Sequence, residues 1–439
     1  MAEHDEDNGS AVPSHRLSRL ARFTGLAGSI AGNMAVEGAK QLARGDRPAM
    51  SDLLLTPANA RKVADQLANL RGAAMKVGQL LSMDAGELLP PELADVLSRL
   101  RASAEPMPAA QLRRVMSDSW GRDWLRNFSR FDVKPVAAAS IGQVHRAKTR
   151  DGRDLAVKVQ YPGVRESIDS DVDNLATLIR MAGVLPQGVN VAPLLTEAKR
   201  QLKEEADYIC EGAYLKRYGD LLEGAQDYQV PTFHADLTTQ NVLSMDYVGG
   251  VPVESLTDAP QEERDHVVTL LINLVFREMF DFNLMQTDPN FANYRYDRES
   301  RQLVLLDFGA TREIDPAFAG KYRQLMVAGH DRDHEAIKRA AIDIGFFDEA
   351  TDLAHQQLMA EVFEIGLEPQ RQTGPFDFGS TDLAERLREK GLEVRKDRDF
   401  AHLPPIDSLY LHRKFGGTYL LASRLKARVD VNSIASQYL

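Results

Sequence analysis

The chain is poor in the features that mark secreted, membrane-spanning and nucleic-acid-binding proteins. Its one cysteine, Cys210, excludes an internal disulfide framework and is typical of a reducing compartment. We expect Cys210 to be a buried or half-buried thiol. No run of about 18 apolar residues is present, so no transmembrane span is expected, and the acidic first residues show no signal peptide. A formal net charge of -11 argues against nucleic-acid binding through bulk electrostatics.

What is present indicates a globular protein of more than one domain. The 439 residues are 44% hydrophobic and 27% charged, which is ordinary for a folded chain, and the length exceeds a single simple core. Composition and periodicity predict four parts: a disordered tail, a helical N-terminal extension, a strand-rich lobe with a polar insertion, and a helical lobe. Their predicted ranges are 1–15, 16–130, 131–255 and 256–439.

The segment 285–310, MQTDPNFANYRYDRESRQLVLLDFGA, combines an acid, an amide and a second acid around an apolar run. Asn293 follows Asp288 by five residues, and the apolar residues at 303–306 lead into a D-F-G triplet that begins at Asp307. Protein kinases use this pattern, with a catalytic loop Asp, an Asn on the metal and the D-F-G Asp on the metal. The triplet alone is common by chance, but the spacing predicts a kinase-like metal site.

Residues 131–161 change to strand periodicity, with Asp151-Gly152 predicted as the turn of a hairpin. The second strand carries Lys158. Small residues let backbone N–H groups approach phosphates, and a lysine adds positive charge there, so we predict the nucleotide lid and phosphate lysine of a kinase N-lobe. The lid residues are Ala137, Ala138, Ala139, Ser140, Ile141 and Gly142. Because each alanine Cβ limits the approach of the backbone, nucleotide geometry is expected to differ from that of a protein kinase.

An alternative for this region is a P-loop, since GQVHRAKT at 142–149 approaches the pattern G-x-x-x-x-G-K-[ST]. Ala147 occupies the second glycine position, and Lys148 lies in a predicted strand rather than at a helix start. We therefore favour the kinase-like interpretation.

Two N-terminal segments carry their own predictions. Basic residues flank the Gly/Ala-rich segment 16–46, which is either a membrane-surface segment or a helix packed on the domain. Gly28 and Gly32 permit close helix contact, so a homodimer is a further hypothesis. A second predicted helix carries Lys76 and Gln79 on one face.

A helix is predicted from 193 to 218, after a polar insertion at 162–190. Asp207 and Glu211 share a face of this helix, whereas Glu205 lies elsewhere around it, so the helix can address two partners. Residues 229–255 are predicted as strands that lead to an interlobe hinge, where backbone near Met245 and Val248 would hold adenine. Residues 368–398 are predicted to be charged and loop-rich.

Taken in order, six motifs resemble the UbiB/AarF/ADCK family of atypical kinases, which is linked to ubiquinone synthesis. They are K-x-G-Q from Lys76 to Gln79, AAASIGQVH at 137–145, AVKVQYPG at 156–163, E-x-D from Glu205 to Asp207 with Glu211, MQTDPNFANY at 285–294, and LLDFGATRE at 305–313. The resemblance implies an α+β, bilobal protein-kinase-like fold with a helical N-terminal extension packed over the active site.

The resemblance also implies a role for each of the central residues. Lys158 would contact the α- and β-phosphates of ATP and pair with Glu211. Asp288 would be the catalytic-loop acid, and Asn293 and Asp307 would hold Mg²⁺.

The extension is implied to carry Lys76 and Gln79 over the site, held there by Glu205 and Asp207. The pairing of Lys158 with Glu211 follows from the motifs and not from spacing, so Glu197 and Glu205 remain alternative partners. The chain also departs from family members that carry two C-terminal membrane helices.

By resemblance, the expected function is that of an atypical kinase or ATPase. It would bind Mg-ATP and support ubiquinone biosynthesis by hydrolysing ATP or phosphorylating a small or lipid-like acceptor. The alternative is a non-phosphotransferring ATP-binding module that presents lipid intermediates to partner enzymes. Expected partners are ATP, a quinone precursor or similar lipid-like molecule, a membrane surface and enzymes of ubiquinone biosynthesis, without nucleic acid. The expected location is the cytoplasm, with peripheral contact to the inner membrane.

Overall fold

The chain divides into two compact units, each built around its own sheet and core. The computed structural model describes residues 106–181, 192–288, 290–396 and 404–439. Within these ranges the first unit extends to Ala213 and includes Thr232–Tyr247, and the second holds Tyr214–Pro231 and Val248–Leu439. The predictions for 1–15 and 16–46, and those for Lys76 and Gln79, lie outside the described residues.

The first unit is organised by an antiparallel sheet. Its strands are β1 Phe128–Phe131, β2 Ala137–Ala138, β3 Gly142–Thr149, β4 Asp154–Gln160 and, later in the chain, β6 Val242–Asp246. The order is β1-β3-β4-β6, and β2 pairs with β3. The predicted hairpin is confirmed, because β3 and β4 pair from Gly142↔Gln160 to Lys148↔Asp154 and Gly152 turns with φ +99°. The P-loop alternative is wrong, since all of 142–149 is strand.

The core of the first unit lies between this sheet and one helix, α1 Ala109–Trp120. Residues at alternate positions of β4 point to the same face of a strand, and Leu155, Val157 and Val159 are completely buried. They pack in one cluster with Met116 of α1. Trp120 stacks on Phe128, with ring centroids 5.2 Å apart. Each such fully buried apolar side chain stabilises the fold by about 1.5–3 kcal/mol.

Three helices follow β4, and they correct two predictions. The helices are α2 Val164–Met181, α3 Ala192–Glu205 and α4 Tyr208–Leu221. The polar insertion at 162–190 therefore contains a helix, whose buried residues Ile168, Val172, Leu175 and Ala176 have helical spacing. The single helix predicted for 193–218 is broken, because the Asp207 side chain accepts a hydrogen bond from the Cys210 backbone N–H at 3.1 Å. A carboxylate at this position caps a new helix rather than continuing the old one.

The second unit combines short strands with a helical majority. A four-stranded sheet has the order β5-β10-β9-β7, and two pairs, β8 with β11 and β12 with β13, stand apart from it. The strands are β5 Tyr228–Gln229, β7 Val251–Pro252, β8 Leu284–Gln286, β9 Tyr294–Asp297, β10 Gln302–Leu305, β11 Thr311–Glu313, β12 Phe376–Asp377 and β13 Arg428–Val429. The helices are α5 Gln261–Phe280, α6 Pro316–Asp331, α7 His334–Ile344, α8 Leu353–Gly366, α9 Glu368–Arg371, α10 Leu383–Lys396, α11 Ile406–Arg424 and α12 Val431–Ala435.

The long helix α5 is the centre of the second unit. Ten of its residues are buried, among them Val267, Leu271 and Leu274. A helix that is apolar on most sides must be surrounded by other elements, and α6, α7, α8 and α11 contribute to the same cluster. Strand β8 follows α5 directly, so the core helix fixes the start of the segment that carries Asp288.

Three smaller predictions differ from the structure. Only 228–229, 242–246 and 251–252 are strands within the region predicted as strands around 229–255. The segment predicted as loop-rich at 368–398 contains α9 and α10. Cys210 is exposed on α4 rather than buried. Among the helices of the described residues, none is long and apolar enough to cross a membrane.

Candidate active site

Two backbone pairings bring the acid–amide–acid residues of the second unit to neighbouring positions. The β8–β11 pair sets Gln286 opposite Thr311, and Thr287 extends it by donating from its N–H and its hydroxyl to the Ala310 carbonyl at 2.9 and 2.7 Å. Asp288 is the next residue. Its chain position is therefore fixed against the segment that follows D-F-G.

The hairpin of β9 and β10 aligns the other two residues. Tyr294 lies opposite Leu305, and the Leu306 N–H donates to the Asn293 carbonyl at 3.0 Å. Asp307 is the next residue after Leu306. Asn293 and Asp307 therefore lie beside each other at the end of this hairpin. Both side chains are half-buried, as is that of Asp288.

Local hydrogen bonds orient the two carboxylates. One oxygen of Asp307 accepts from the Gly309 N–H at 3.0 Å, and one oxygen of Asp288 accepts from the Asn290 N–H at 3.3 Å. The Phe308 side chain between Asp307 and Gly309 is only 1% exposed and packs on Tyr218, with ring centroids 4.9 Å apart. The packing of the buried Phe308 against Tyr218 therefore fixes the position of the D-F-G turn.

The donor set of Asn293 and Asp307 fits a magnesium ion. Mg²⁺ prefers oxygen ligands and is usually held by one or two protein side chains together with water and substrate phosphates. The Asn293 amide oxygen and the Asp307 carboxylate are ligands of this kind, whereas the Asn293 amide nitrogen, which has no hydrogen-bond partner in the described part of the chain, is a donor and cannot bind the cation. Within the same residues no cluster of three or more His, Cys, Asp or Glu could hold a metal by itself.

In the first unit, Lys158 lies against Glu211. The Lys158 Nζ is 2.9 and 3.0 Å from the two carboxylate oxygens of Glu211. The side chains are 10% and 1% exposed. The Tyr208 ring lies 5.2 Å from the ammonium group. This is a buried, charge-assisted pair between β4 and α4, as the motifs implied.

The two alternative carboxylates have other partners. Glu197 binds Arg200 in an ion pair and accepts from the Gln201 amide at 2.7 Å. Glu205 accepts from the Ser140 hydroxyl at 2.7 Å. Glu211 is therefore the acid that the structure places at Lys158, and Glu205 is tied to the alanine-rich loop.

The alanine-rich loop has a defined shape in the structure. Ala137 and Ala138 are exposed and form β2, the Ala139 N–H donates to the Gly142 carbonyl at 2.9 Å, and the Ile141 side chain is 1% exposed. A Cβ at Gly142 would lie 2.4 Å from the Val159 carbonyl oxygen. Close strand packing thus explains the glycine at 142, whereas Ala137 and Ala138 are the exposed residues of this loop.

The remaining predicted site residues lie at the edges of the first unit. Asp207 caps α4 and is 3.8 Å from the Arg165 guanidinium. Met245 is buried in β6, and the boundary between the units falls between Tyr247 and Val248. The predicted hinge therefore lies at one of the three points where the chain passes from one unit to the other.

A buried polar cluster beneath the Asp288 segment was missed by sequence reasoning. Lys414 on α11 is 3.0 Å from a carboxylate oxygen of Glu278 on α5, and both are buried. Burial raises the pKa of Tyr294 to about 12, so its hydroxyl stays protonated beside Lys414. The available signal was a lysine in the buried stripe of one helix, which also contains Leu411, Thr418 and Leu421.

Comparisons with known proteins agree with this geometry. Residues 99–341 match the ABC1 atypical kinase-like domain. The chain is 35% identical over 438 residues to "Atypical kinase COQ8, mitochondrial" of Saccharomyces cerevisiae, covering 97% of this chain and 86% of the yeast protein. It is 36% identical over 436 residues to "Atypical kinase coq-8, mitochondrial" of Caenorhabditis elegans, covering 97% of this chain but 58% of that protein.

A solved structure shows the same fold. The complex of Rv3197 with erythromycin from Mycobacterium tuberculosis has 26% sequence identity and a TM-score of 0.62, covering 86% of this chain and 96% of that one. The predicted bilobal, kinase-like α+β architecture is confirmed, as is the predicted class of enzyme. The chain belongs to the ABC1 (UbiB) family of atypical kinases.

Proposed function

We propose that this chain binds Mg-ATP and supports ubiquinone biosynthesis by hydrolysing ATP or by phosphorylating a small or lipid-like acceptor. The observation that carries the proposal is the pair of backbone contacts, Leu306 to Asn293 and Thr287 to Ala310, that bring the acid–amide–acid residues together. The names of the yeast and nematode relatives support the kinase class and a mitochondrial setting for those proteins.

Each residue has a proposed electrostatic task. Asn293 and Asp307 would hold the metal ion, which would supply positive charge to offset that of the phosphates. Lys158 supplies a positive charge to the α- and β-phosphates, and its contact with Glu211 keeps the ammonium group in one place. Asp288 orients the attacking hydroxyl or water. Positioning and charge stabilisation of this kind account for most of the catalysis in phosphoryl transfer.

The lid supports a small acceptor rather than a protein. Its alanines replace the glycines of a protein kinase. The Glu205 carboxylate accepts a hydrogen bond from the Ser140 hydroxyl of the lid. The predicted N-terminal extension with Lys76 and Gln79 would cover the docking surface further. We therefore propose ATP hydrolysis or a lipid-like acceptor such as a quinone precursor.

The fate of the phosphate tests the function. Wild-type protein is incubated with Mg²⁺ and γ-labelled ATP, with and without anionic liposomes and a phenolic quinone-precursor mimic. Stimulated release of free phosphate supports an ATPase coupled to a lipid, and label on the mimic supports a kinase. Nucleotide binding without turnover in any arm would overturn the proposal and favour an ATP-binding module that presents lipid intermediates.

We also propose that the chain works peripherally at a membrane surface, through the basic segment 16–46. The full chain should co-sediment with anionic liposomes, and the triple variant Arg16→Glu, Arg19→Glu, Arg22→Glu should lose this binding, since each basic residue near an anionic surface contributes about 1 kcal/mol. Unchanged binding of the triple variant would show that the segment has another role. Size-exclusion chromatography with light scattering tests the proposed homodimer in the same samples.

A further inference from the structure

One buried lysine contacts both ends of the segment that carries Asp288 and Asn293. The Lys414 ammonium group donates to the Gln286 carbonyl oxygen at 2.7 Å and to the Tyr294 hydroxyl at 2.8 Å. Gln286 is the last residue of β8, and Tyr294 is the first residue of β9. The segment 287–293 therefore starts and ends at two groups that share a single hydrogen-bond donor.

A buried carboxylate, that of Glu278, holds the Lys414 ammonium group in place. The Lys414 Nζ lies 3.0 Å from one carboxylate oxygen of Glu278, and the other oxygen accepts from the Tyr218 hydroxyl at 2.8 Å. Glu278 is completely buried and Lys414 is 5% exposed. The ammonium group thus cannot move without losing a buried ionic partner.

The cross-connection between the two ends is reinforced by Gln286. Its side-chain oxygen accepts from the Tyr294 hydroxyl at 3.2 Å and lies 3.3 Å from the Lys414 Nζ. The three residues form a small closed network in which Lys414 makes two of the three side-chain contacts. Such a network specifies one arrangement more strongly than a single contact would.

Stability alone does not account for this pair. Taking two charges out of water is costly, and replacing a buried ion pair by apolar residues of similar size is often neutral or stabilising. A methionine and a leucine at 414 and 278 would fill the same space. The charged pair supplies what they lack, a donor aimed at the Gln286 carbonyl and the Tyr294 hydroxyl.

We infer that Lys414 is a positioning residue that sets the separation of the ends of 287–293, and through it the places of Asp288 and Asn293. The inference rests on the proposed function of those two residues. Lys414 does not touch the reacting groups. It acts through the backbone of β8 and the side chain at the start of β9, where a misplacement of about 1 Å is enough to lower a rate roughly hundredfold.

The test uses the full chain with the double variant Lys414→Met, Glu278→Gln, which removes the donor without leaving a buried charge and keeps an acceptor oxygen for the Tyr218 hydroxyl. Its kcat for Mg-ATP turnover, normalised to folded protein, should fall about hundredfold, while the Kd for nucleotide stays within about threefold. Hydrogen exchange should quicken in 287–293 and not in α6 or α7. Lys321→Met is the matched control, because Lys321 donates to the Asp343 carbonyl on an exposed surface, and its kcat should equal that of the wild type.

Two comparisons separate this inference from the proposed function. If Asp288→Asn is inactive and the double variant turns over like the wild type, or loses activity only in proportion to unfolded protein, the positioning role is overturned. If Asp288→Asn itself retains wild-type turnover, the proposed role of Asp288 fails whatever Lys414 does. A single Lys414→Arg variant, which keeps a charged donor, should recover part of the kcat lost in the double variant.

Discussion

Removing the Glu211 carboxylate is expected to destabilise the first unit strongly. The side chains of Lys158 and Glu211 are 10% and 1% exposed. The variant Glu211→Leu therefore leaves the charged ammonium group of Lys158 with little access to water. Breaking a buried pair from one side costs about 3–5 kcal/mol. The Tyr208 ring, 5.2 Å from the ammonium group, still attracts the charge, and a contact of this kind contributes about 0.5–2 kcal/mol. The expected loss of stability is therefore near the lower end of the range for a broken buried pair, about 3 kcal/mol.

The double variant Lys158→Met, Glu211→Leu should recover most of that loss, because no buried charge is left uncompensated. Urea unfolding followed by tryptophan fluorescence measures both effects. The chain has two tryptophans, and Trp120 and Trp124 both pack in the core of the first unit, so the signal reports on that unit. With a slope of about 1–3 kcal/mol per molar urea, the midpoint of the single variant should fall by roughly 1 M or more.

Two results would refute this reasoning. A single variant with the wild-type midpoint would mean that the pair is solvated in solution. A double variant no more stable than the single one would mean that packing, and not charge, holds β4 and α4 at this point. Mg-ATP turnover should be absent from both variants, since neither keeps the proposed phosphate lysine in place with its carboxylate.

Three further predictions follow from single residues. Gly142→Ala should destabilise the first unit by about 1–3 kcal/mol, because its Cβ would meet the Val159 carbonyl at 2.4 Å, while Gly249→Ala, where a Cβ meets nothing within 4 Å, should not. Burial lowers the pKa of His145 below its ordinary 6.5. As the pH falls, the unfolded chain therefore binds a proton at this histidine before the folded chain does, so the urea midpoint should fall as pH drops below about 6.5. The variant His145→Gln should make the urea midpoint less dependent on pH in this range. Cys210 is exposed, so the native protein should react with one equivalent of a thiol reagent without denaturant, and a thiol that reacts only after unfolding would contradict the placement.

The sequence was sufficient for features that depend on local chemistry. Asp151-Gly152 between two alternating runs is a strong local signal for a hairpin, and it placed Lys158 in the middle of a strand. The D-F-G triplet after an apolar run placed Asp307 at a strand end in the same way. The predicted domain limits at 130 and 255 stay predictions.

Features that depend on competition or on distant contacts were not predictable in the same way. Asp207 lies inside a continuous helical pattern, but its capping hydrogen bond interrupts the helix. In α2 the signal existed, because Ile168, Val172 and Leu175 recur at helical spacing, but the many charged residues concealed it. Lys414 reaches Gln286 across 128 residues of sequence, and no local pattern joins them.

The most direct test of the central claim is the rate of Mg-dependent ATP turnover in an Asp307→Asn variant. We expect a loss of at least about hundredfold, the size expected when one charge-stabilising group is removed from an active site. Asp315→Asn is the control, because Asp315 only caps α6 by accepting from the Ala317 N–H at 2.9 Å, and Asn caps a helix as well as Asp does. Full turnover in Asp307→Asn, with the control also active, would contradict the assignment of the metal site.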